Sequence, residues 1–288
     1  MPKSYSAFCY LIKYKLSLAV VLSSVTGYFI SGTAIGIKLL YLSAGVFFLA
    51  ASAAALNQYS ERRTDLLMDR TKKRPVPSGQ ISEKKALIIS AFLFLGGIVL
   101  LLRNGFIPLF LGILNVIMYN LVYTHLKKIT VFSIIPGGLV GAIPPMIGYT
   151  TAGGNLANLD IIAFSSFMFL WQVPHFWLII VKYGDEYKKS GLATISAYLT
   201  SSQIKRLVFF WVLISNILLL IFFLVTEVFG KQFLFPFSLL NIVFILLFYR
   251  NLFGTAENKE VKGAMILINS YGLIIMLLLI AVSVFHYQ

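Results

Sequence analysis

The sequence predicts an all-α integral membrane protein, built as a bundle of about nine transmembrane helices. Of its 288 residues, 59% are hydrophobic and only 12% are charged, and the mean hydropathy is +0.87. A soluble protein of this size carries roughly twice that fraction of charge. The apolar residues also fall in blocks of about 20, the length of a helix that crosses a bilayer.

Nine such blocks follow one another along the chain. We place the spans at about 16–34, 39–57, 86–103, 106–124, 131–151, 161–181, 207–226, 233–249 and 263–285. No linker or low-complexity tract separates them, so residues 1–288 are expected to form a single transmembrane domain. A single cysteine, Cys9, and three scattered histidines exclude a disulfide framework and argue against a metal cage of Cys or His.

The basic residues predict how this bundle sits in the membrane. With the N-terminus in the cytoplasm, only Lys38, Arg103 and Lys231 of the 24 Lys and Arg residues fall on the outer side. This positive-inside bias predicts an N-in, C-out protein of the cell membrane, and it accounts for the net charge of +14 without nucleic acid. Two long loops, at about 58–85 and 182–206, would then face the cytoplasm.

The first of these loops opens with three oxygen-bearing side chains at a spacing of four. Asn57, Glu61 and Asp65 would share one face of a helix that extends the second span. Oxygen ligands of this kind suit Mg²⁺, which usually shares its coordination with substrate phosphates. Asp69 continues the spacing and is a candidate fourth ligand. The alternative is a solvated amphipathic loop that anchors the protein to lipid headgroups.

Basic residues follow at once, where the chain must turn back. Arg70 and Arg74 lie just before Pro75 and could hold phosphate groups. In the second loop, Asp185 and Glu186 could hold a second cation or receive a proton, although alone they would be ordinary surface acids. Together these residues indicate an enzyme that handles a lipid diphosphate at the cytoplasmic edge of the membrane.

Two further segments carry polar groups at the ends of apolar spans. The fourth span ends in Tyr119 and Tyr123, followed by Lys127 and Lys128. These residues could be an interfacial belt, or the lysines could bind diphosphate while the rings line the path of a carbocation. The sixth span ends in W-Q-V-P-H-F-W. A glutamine and a histidine, Gln172 and His175, are costly inside a membrane helix unless they face a cavity or a partner.

At these residues the chain resembles the intramembrane prenyltransferases of the UbiA superfamily. Asn57, Glu61 and Asp65 match its first motif, N-x-x-x-D-x-x-x-D, with Glu61 in place of Asp. Further segments are similar to the haem-modifying branch, namely M-x-R-T-x-x-R-P at 68–75, a Y-T-x-L-K-R-like segment at 123–128, G-A-x-P-P-x-I-G at 141–148 and W-Q-x-P-H-F-W at 171–177. After Gly191 the chain reads L-A-T-I-S, where that branch usually reads I-P-M-L-P.

The resemblance implies a UbiA-like fold and a magnesium-dependent reaction at the cytoplasmic side. A farnesyl group would pass from farnesyl diphosphate to a vinyl group of haem b, giving haem O for terminal oxidases. The implied magnesium and catalytic residues are Asn57, Glu61, Asp65 and Asp185. The implied diphosphate ligands are Arg70, Arg74, Lys127 and Lys128, and the implied prenyl and haem ligands are Tyr119, Tyr123, Gln172 and His175. The implied partners besides the substrates are the lipid bilayer and a haem A synthase or a terminal-oxidase assembly factor.

Two alternatives stay open at this point. A related prenyltransferase could use a quinone precursor, chlorophyllide or a lipid as acceptor, and the segment around His175 argues against it. A transporter would place ionisable residues near mid-membrane on several helices. Here the acids cluster in two loops on one side.

The predicted orientation can be tested by labelling cysteines from outside intact cells. In a Cys9→Ser background, single cysteines introduced within 58–85 or 182–206 should stay unlabelled, because both loops are expected to face the cytoplasm. Labelling of either loop would contradict the orientation, and a cysteine at Arg103 on the outer side serves as the positive control.

Overall fold

Residues 3–226, 231–254 and 257–287 are described by a computed structural model, and within these ranges the backbone forms helices and turns without a strand. The α-helices are α1 (Lys3–Leu11), α2 (Tyr14–Ile30), α3 (Ile37–Ser60), α4 (Arg62–Leu66), α5 (Glu83–Leu102), α6 (Phe106–Ile117), α7 (Thr124–Leu126), α8 (Ile134–Thr151), α9 (Leu159–Lys189), α10 (Ser201–Val225), α11 (Leu234–Phe253) and α12 (Glu257–Tyr287). A π-helix, Met118–Tyr123, joins α6 to α7 without a break in the span.

The predicted fold class is confirmed: the chain is an all-helical, multi-pass membrane protein. Eight helices of the described ranges are long and apolar enough to cross a membrane. The number rises to nine if α1 and α2, which meet at a bend of 47°, together form one broken span. Large apolar side chains such as Phe92, Phe106 and Phe235 are exposed on the outside of the helices, where lipid would cover them.

The helices pack around two main hydrophobic cores. One core lies among α2, α3, α5, α6 and α8, with Leu42, Leu101 and Ile147 at its centre. The other lies among α9 to α12 and is rich in aromatic rings, including Phe164 and Phe248. Both cores contact α8, which therefore joins the two halves of the bundle.

A close helix crossing joins α2 to α8 and depends on two glycines. A methyl group on Gly148 would lie 1.7 Å from the carbonyl oxygen of Ser24, and one on Gly27 would lie 2.0 Å from that of Pro145. Membrane helices pack tightly through small residues because lipid gives little hydrophobic drive for their association. On the far side of α8, methyl groups on Gly137 and Gly141 would meet Phe176 and Gln172, so these two small residues let α8 pack on α9.

The second predicted loop is more helical than the sequence analysis expected. Helix α9 continues to Lys189, well past the predicted end of its span, with a single non-helical residue at Tyr183. Lys188 and Lys189 stabilise the last turn through the helix dipole. A bend at Tyr183 therefore turns the end of α9, rather than a flexible loop, toward the first loop.

The α2–α8 crossing predicts a sharp difference between two glycines. Gly148→Ala should lower the stability of the purified protein by about 1–3 kcal/mol, because the added methyl group meets backbone atoms that cannot yield. Gly36→Ala is the matched control, since no atom lies within 4 Å of its added methyl group and its φ of −156° suits any residue. Thermal unfolding in detergent measures both, and equal melting temperatures would contradict the crossing.

Candidate active site

Three helix ends meet at one end of the bundle. The end of α3 contacts α7 through Asn57, whose Nδ2 donates to Thr124 Oγ1 at 3.3 Å. The segment after α4 contacts the end of α9, since the backbone N–H of Arg70 donates to Glu186 Oε2 at 3.2 Å. The chain after α9 returns to α7, where the N–H of Ala193 donates to the carbonyl of Lys127 at 3.2 Å.

Asn57, Glu61 and Asp65 lie on one face, as their spacing predicts. The backbone N–H of Glu61 donates to the carbonyl of Asn57 at 2.9 Å, and that of Asp65 donates to the carbonyl of Glu61 at 2.8 Å. Glu61 itself leaves helical geometry, with φ −99° and ψ 1°, and separates α3 from α4. The residues are only 2%, 5% and 1% exposed, so these carboxylates are not part of a solvated loop.

Each buried carboxylate pairs with a cation. Lys127 forms an ion pair with Glu61, and Arg74 Nη1 donates to both oxygens of Asp65 at 2.9 and 2.7 Å. Burial raises the pKa of the Glu61 carboxyl, but the ammonium of Lys127, helped by Lys13 and Arg74, brings it below its ordinary value. Burial, which Arg74 offsets only in part, holds the pKa of Asp65 above its ordinary value.

The π-helix positions the hydroxyl that holds Asn57. Thr124 Oγ1 donates to the carbonyl of Tyr119 at 2.8 Å, five residues back, and accepts the Asn57 amide nitrogen. Asn57 Oδ1 therefore faces the site, where it accepts a hydrogen bond from the Lys13 ammonium group at 3.3 Å. Single π-turns inside α-helices occur frequently at functional sites. Here the irregular turn fixes which atom of the Asn57 amide faces inward.

Arg70 connects the two loop regions through its backbone and its side chain. The Arg70 guanidinium donates to the hydroxyl of Tyr187 at 3.3 Å and lies 5.5 Å from the ring centre of Tyr183. Asp185 lines a cavity of about 460 Å³ beside the start of α10, together with Tyr183 and Glu186. Asp69 is outside the cluster, in an exposed ion pair with Lys72.

Aromatic rings continue from the polar cluster into the bundle. The rings of Tyr119 and Tyr123 stack with centroids 5.8 Å apart, and Phe176 follows at 5.7 Å from Tyr123. The Lys127 ammonium lies 5.5 Å from the centroid of the Tyr123 ring. A cavity of about 60 Å³ opens between Tyr123, Phe176 and Tyr187. The electron-rich faces of such rings favour a positive charge.

The polar pair of the sixth predicted span lies deeper in the bundle. Gln172 packs against Gly141 of α8, where a larger residue would not fit. The ring of His175 lies near the side chain of Asn269 on α12. Its Nδ1 atom is buried and has no hydrogen-bond partner among the described residues. A buried ring nitrogen without a partner is costly, and a polar group or metal of a ligand would satisfy it.

The structure places one of the two predicted lysines outside the polar cluster, and it brings two further residues into the cluster. Lys128 is exposed, whereas Lys127 turns inward to Glu61. Sequence reasoning missed Lys13, which was counted only toward the topology, and Thr124, whose role depends on the π-turn. A lysine at the very start of an apolar span was the available signal for Lys13.

The donor set suits a hard cation that carries an anionic ligand. In the described ranges no group of three or more His, Cys, Asp or Glu side chains could hold a metal ion. Asn57, Glu61 and Asp65 offer only oxygen ligands on the inward face, and phosphate oxygens would complete such a shell. Lys13, Arg74 and Lys127 surround the two carboxylates, so the cluster has one more basic than acidic side chain, and burial lowers the pKa of Lys13 to about 7. A polyanion such as a diphosphate would complement these basic groups.

Comparison with known proteins agrees with this arrangement. Residues 20–271 match the UbiA prenyltransferase family. The chain is 38% identical over 182 residues to a protoheme IX farnesyltransferase of Geobacter sulfurreducens, covering 63% of this chain and 67% of the relative. It is 35% identical over 195 residues to a protoheme IX farnesyltransferase of Cytophaga hutchinsonii, covering 67% of this chain and 68% of the relative.

A solved structure shares the fold over almost the whole chain. It is a UbiA homolog from Archaeoglobus fulgidus bound to GPP and Mg²⁺, with a TM-score of 0.75 and 16% identity over 98% of this chain and 99% of that one. Membrane helices, the polar cluster at their ends and the family match over residues 20–271 lead to one conclusion. The chain belongs to the UbiA prenyltransferase family and is a prenyltransferase enzyme.

Proposed function

We propose that this enzyme transfers a farnesyl group from farnesyl diphosphate to a vinyl group of protohaem IX, in a magnesium-dependent reaction that gives haem O. The observation that carries the proposal is the pairing of two buried carboxylates with Arg74 and Lys127 at the end of the bundle. Relatives at 35% and 38% identity that are protoheme IX farnesyltransferases support the acceptor.

Charge balance supports a magnesium diphosphate as the ligand of the cluster. Asn57, Glu61 and Asp65 would hold the ion, which would neutralise charge on the diphosphate. Arg74 and Lys127 now neutralise the carboxylates, and they would turn to the phosphate oxygens when the ion takes their place. Arg70 lies at the rim, between the two loop regions, and would close over the same phosphates.

The residues of the site favour ionisation of the allylic carbon–oxygen bond. Cations that hold the departing diphosphate stabilise the charge that develops on it as the bond breaks. The stacked rings of Tyr119 and Tyr123 begin next to Lys127 and would stabilise the allylic cation. The apolar helices around them exclude the water that would quench it.

The acceptor would enter from the side of α9. A vinyl carbon of haem b would form the new bond to the farnesyl carbon, and water would add the hydroxyl group and release a proton. The buried Nδ1 of His175 has no partner in the described part of the chain, and imidazole is a ligand of haem iron. His175 would therefore orient the haem, with Gln172 packed beside it one turn earlier.

The position of the site supports a cytoplasmic reaction at the cell membrane. The cluster lies at the ends of α3, α7 and α9, which precede the lysine- and arginine-rich loops. Those loops would face the cytoplasm under the positive-inside bias. The diphosphate would then bind from water, while the farnesyl chain lies among the helices.

The proposed reaction is tested by extracting haems from a host that lacks haem O synthase. Expression of this protein should produce haem O, and Asp65→Ala should abolish it because the metal and Arg74 both lose their carboxylate. Glu61→Asp should be milder, since charge and ligand type remain. A prenylated quinone precursor or lipid in place of haem O would assign another acceptor. Normal haem O from a well-expressed Asp65→Ala protein would contradict the role of the cluster.

Substitution of His175 distinguishes a haem ligand from a structural histidine. His175→Ala should weaken haem binding and haem O formation, while magnesium-dependent binding of farnesyl diphosphate stays within about twofold of the wild type because the loop residues hold it. Both affinities can be measured on purified protein in detergent. Equal loss for both substrates, or no loss for haem, would contradict the proposed role.

Thr124 provides a test of how Asn57 is oriented. Thr124→Val keeps the shape but removes the hydroxyl that accepts the Asn57 amide, so the magnesium concentration needed for half-maximal binding of farnesyl diphosphate should rise about tenfold. Thr124→Ser keeps the hydroxyl and should behave like the wild type. If the valine and serine variants need the same magnesium concentration, the hydroxyl does not orient Asn57.

A further inference from the structure

The bend between α1 and α2 places a lysine inside the candidate active site. Lys13 lies at this bend with φ 45° and ψ 51°, the only positive φ of a non-glycine residue in the described ranges. A left-handed conformation is unfavourable for lysine, because its Cβ crowds the backbone. Residues held in this way occur at functional sites more often than elsewhere, and only where the surroundings fix them.

A buried glutamine next to Asn57 fixes the bend. Gln58 Nε2 donates to the carbonyls of Tyr10 at 2.9 Å and Leu11 at 3.1 Å, in the last turn of α1. Ser17 Oγ donates to the carbonyl of Ile12 at 2.9 Å. Gln58 is fully buried, and its two hydrogen bonds hold the end of α1 against α3. The bend is thus attached to the helix that carries the proposed metal ligands.

Among the described residues, the hydrogen-bond partners of the Lys13 ammonium group are neutral. Its Nζ lies 3.3 Å from Asn57 Oδ1 and 3.4 Å from the hydroxyl of Tyr119, on two other helices. Glu61 and Asp65 act on Lys13 from a greater distance, and their short contacts go to Lys127 and Arg74. Within the described part of the chain, no carboxylate contacts Lys13 Nζ, so this amine has no anionic partner at short range.

We propose that Lys13 binds the diphosphate of the prenyl donor, in addition to Arg74 and Lys127. The proposal rests on the proposed function for the identity of the donor. If the metal ion takes Asn57 Oδ1, the ammonium loses that acceptor, and a phosphate oxygen is the replacement that keeps it hydrogen-bonded. A half-buried ammonium next to a diphosphate forms a charge-assisted hydrogen bond, which is stronger than its present bonds to neutral groups.

The role of Lys13 is tested by comparing four proteins in detergent with saturating magnesium. Binding of farnesyl diphosphate and of farnesol is measured for the wild type, Lys13→Met, Lys13→Arg and Lys15→Met. Lys13→Met should weaken farnesyl diphosphate binding about tenfold or more and leave farnesol binding unchanged. Lys13→Arg should restore part of the loss. Lys15→Met is the matched control, since Lys15 is exposed two residues away and should keep wild-type affinity.

Two kinds of result would contradict the assignment of Lys13 to the diphosphate. Wild-type affinity for farnesyl diphosphate in Lys13→Met would show that the ammonium does not contact the diphosphate. Equal losses for farnesyl diphosphate and farnesol, or a lower melting temperature that Lys13→Arg does not correct, would make Lys13 a structural residue. Haem O formation is measured on the same wild-type preparation. If it binds farnesyl diphosphate but forms no haem O, the proposed acceptor fails while the Lys13 result still stands.

Discussion

The architecture of the site depends on two buried carboxylates that cannot stay unpaired at the end of the bundle. A buried charge without a partner is strongly unfavourable, so Glu61 and Asp65 need Lys127 and Arg74. These pairs join α3 and α4 to α7 and to the turn before Pro75. Removing either partner would leave a charge in a nearly dry environment. The same electrostatics that hold the helix ends together therefore prepare a place for a metal ion and a polyanion.

Close packing of the helices next to this cluster fixes the positions of its side chains. Gly27 and Gly148 let α2 and α8 touch at the backbone, and Gly141 seats Gln172 of α9 on α8. The π-turn then displaces Thr124 so that it meets Asn57. Binding chemistry on helix ends is more precise than on free loops, because each side chain inherits the position of a packed helix. This arrangement keeps polar chemistry at the rim and leaves the apolar interior for the prenyl chain.

Much of this arrangement was predictable from the sequence, because it follows from short-range periodicity. A spacing of four placed Asn57, Glu61 and Asp65 on one face, and apolar blocks of about 20 residues gave the spans. Contacts between distant segments were not predictable in this way. Nothing in the spacing shows that Lys127 turns inward to Glu61 while Lys128 stays exposed. The inward position of Lys13 depends on a left-handed residue and on Gln58, neither of which has a periodic signal.

The central claim is that Lys127 and Arg74 occupy the carboxylates until a magnesium diphosphate replaces them. The most direct measurement is a structure of this protein with Mg²⁺ and a non-hydrolysable farnesyl diphosphate analogue. We expect the Glu61 and Asp65 carboxylates to contact the metal, with Lys127 and Arg74 moved to the phosphate oxygens. Intact Lys127–Glu61 and Arg74–Asp65 pairs beside a diphosphate bound elsewhere would contradict the account.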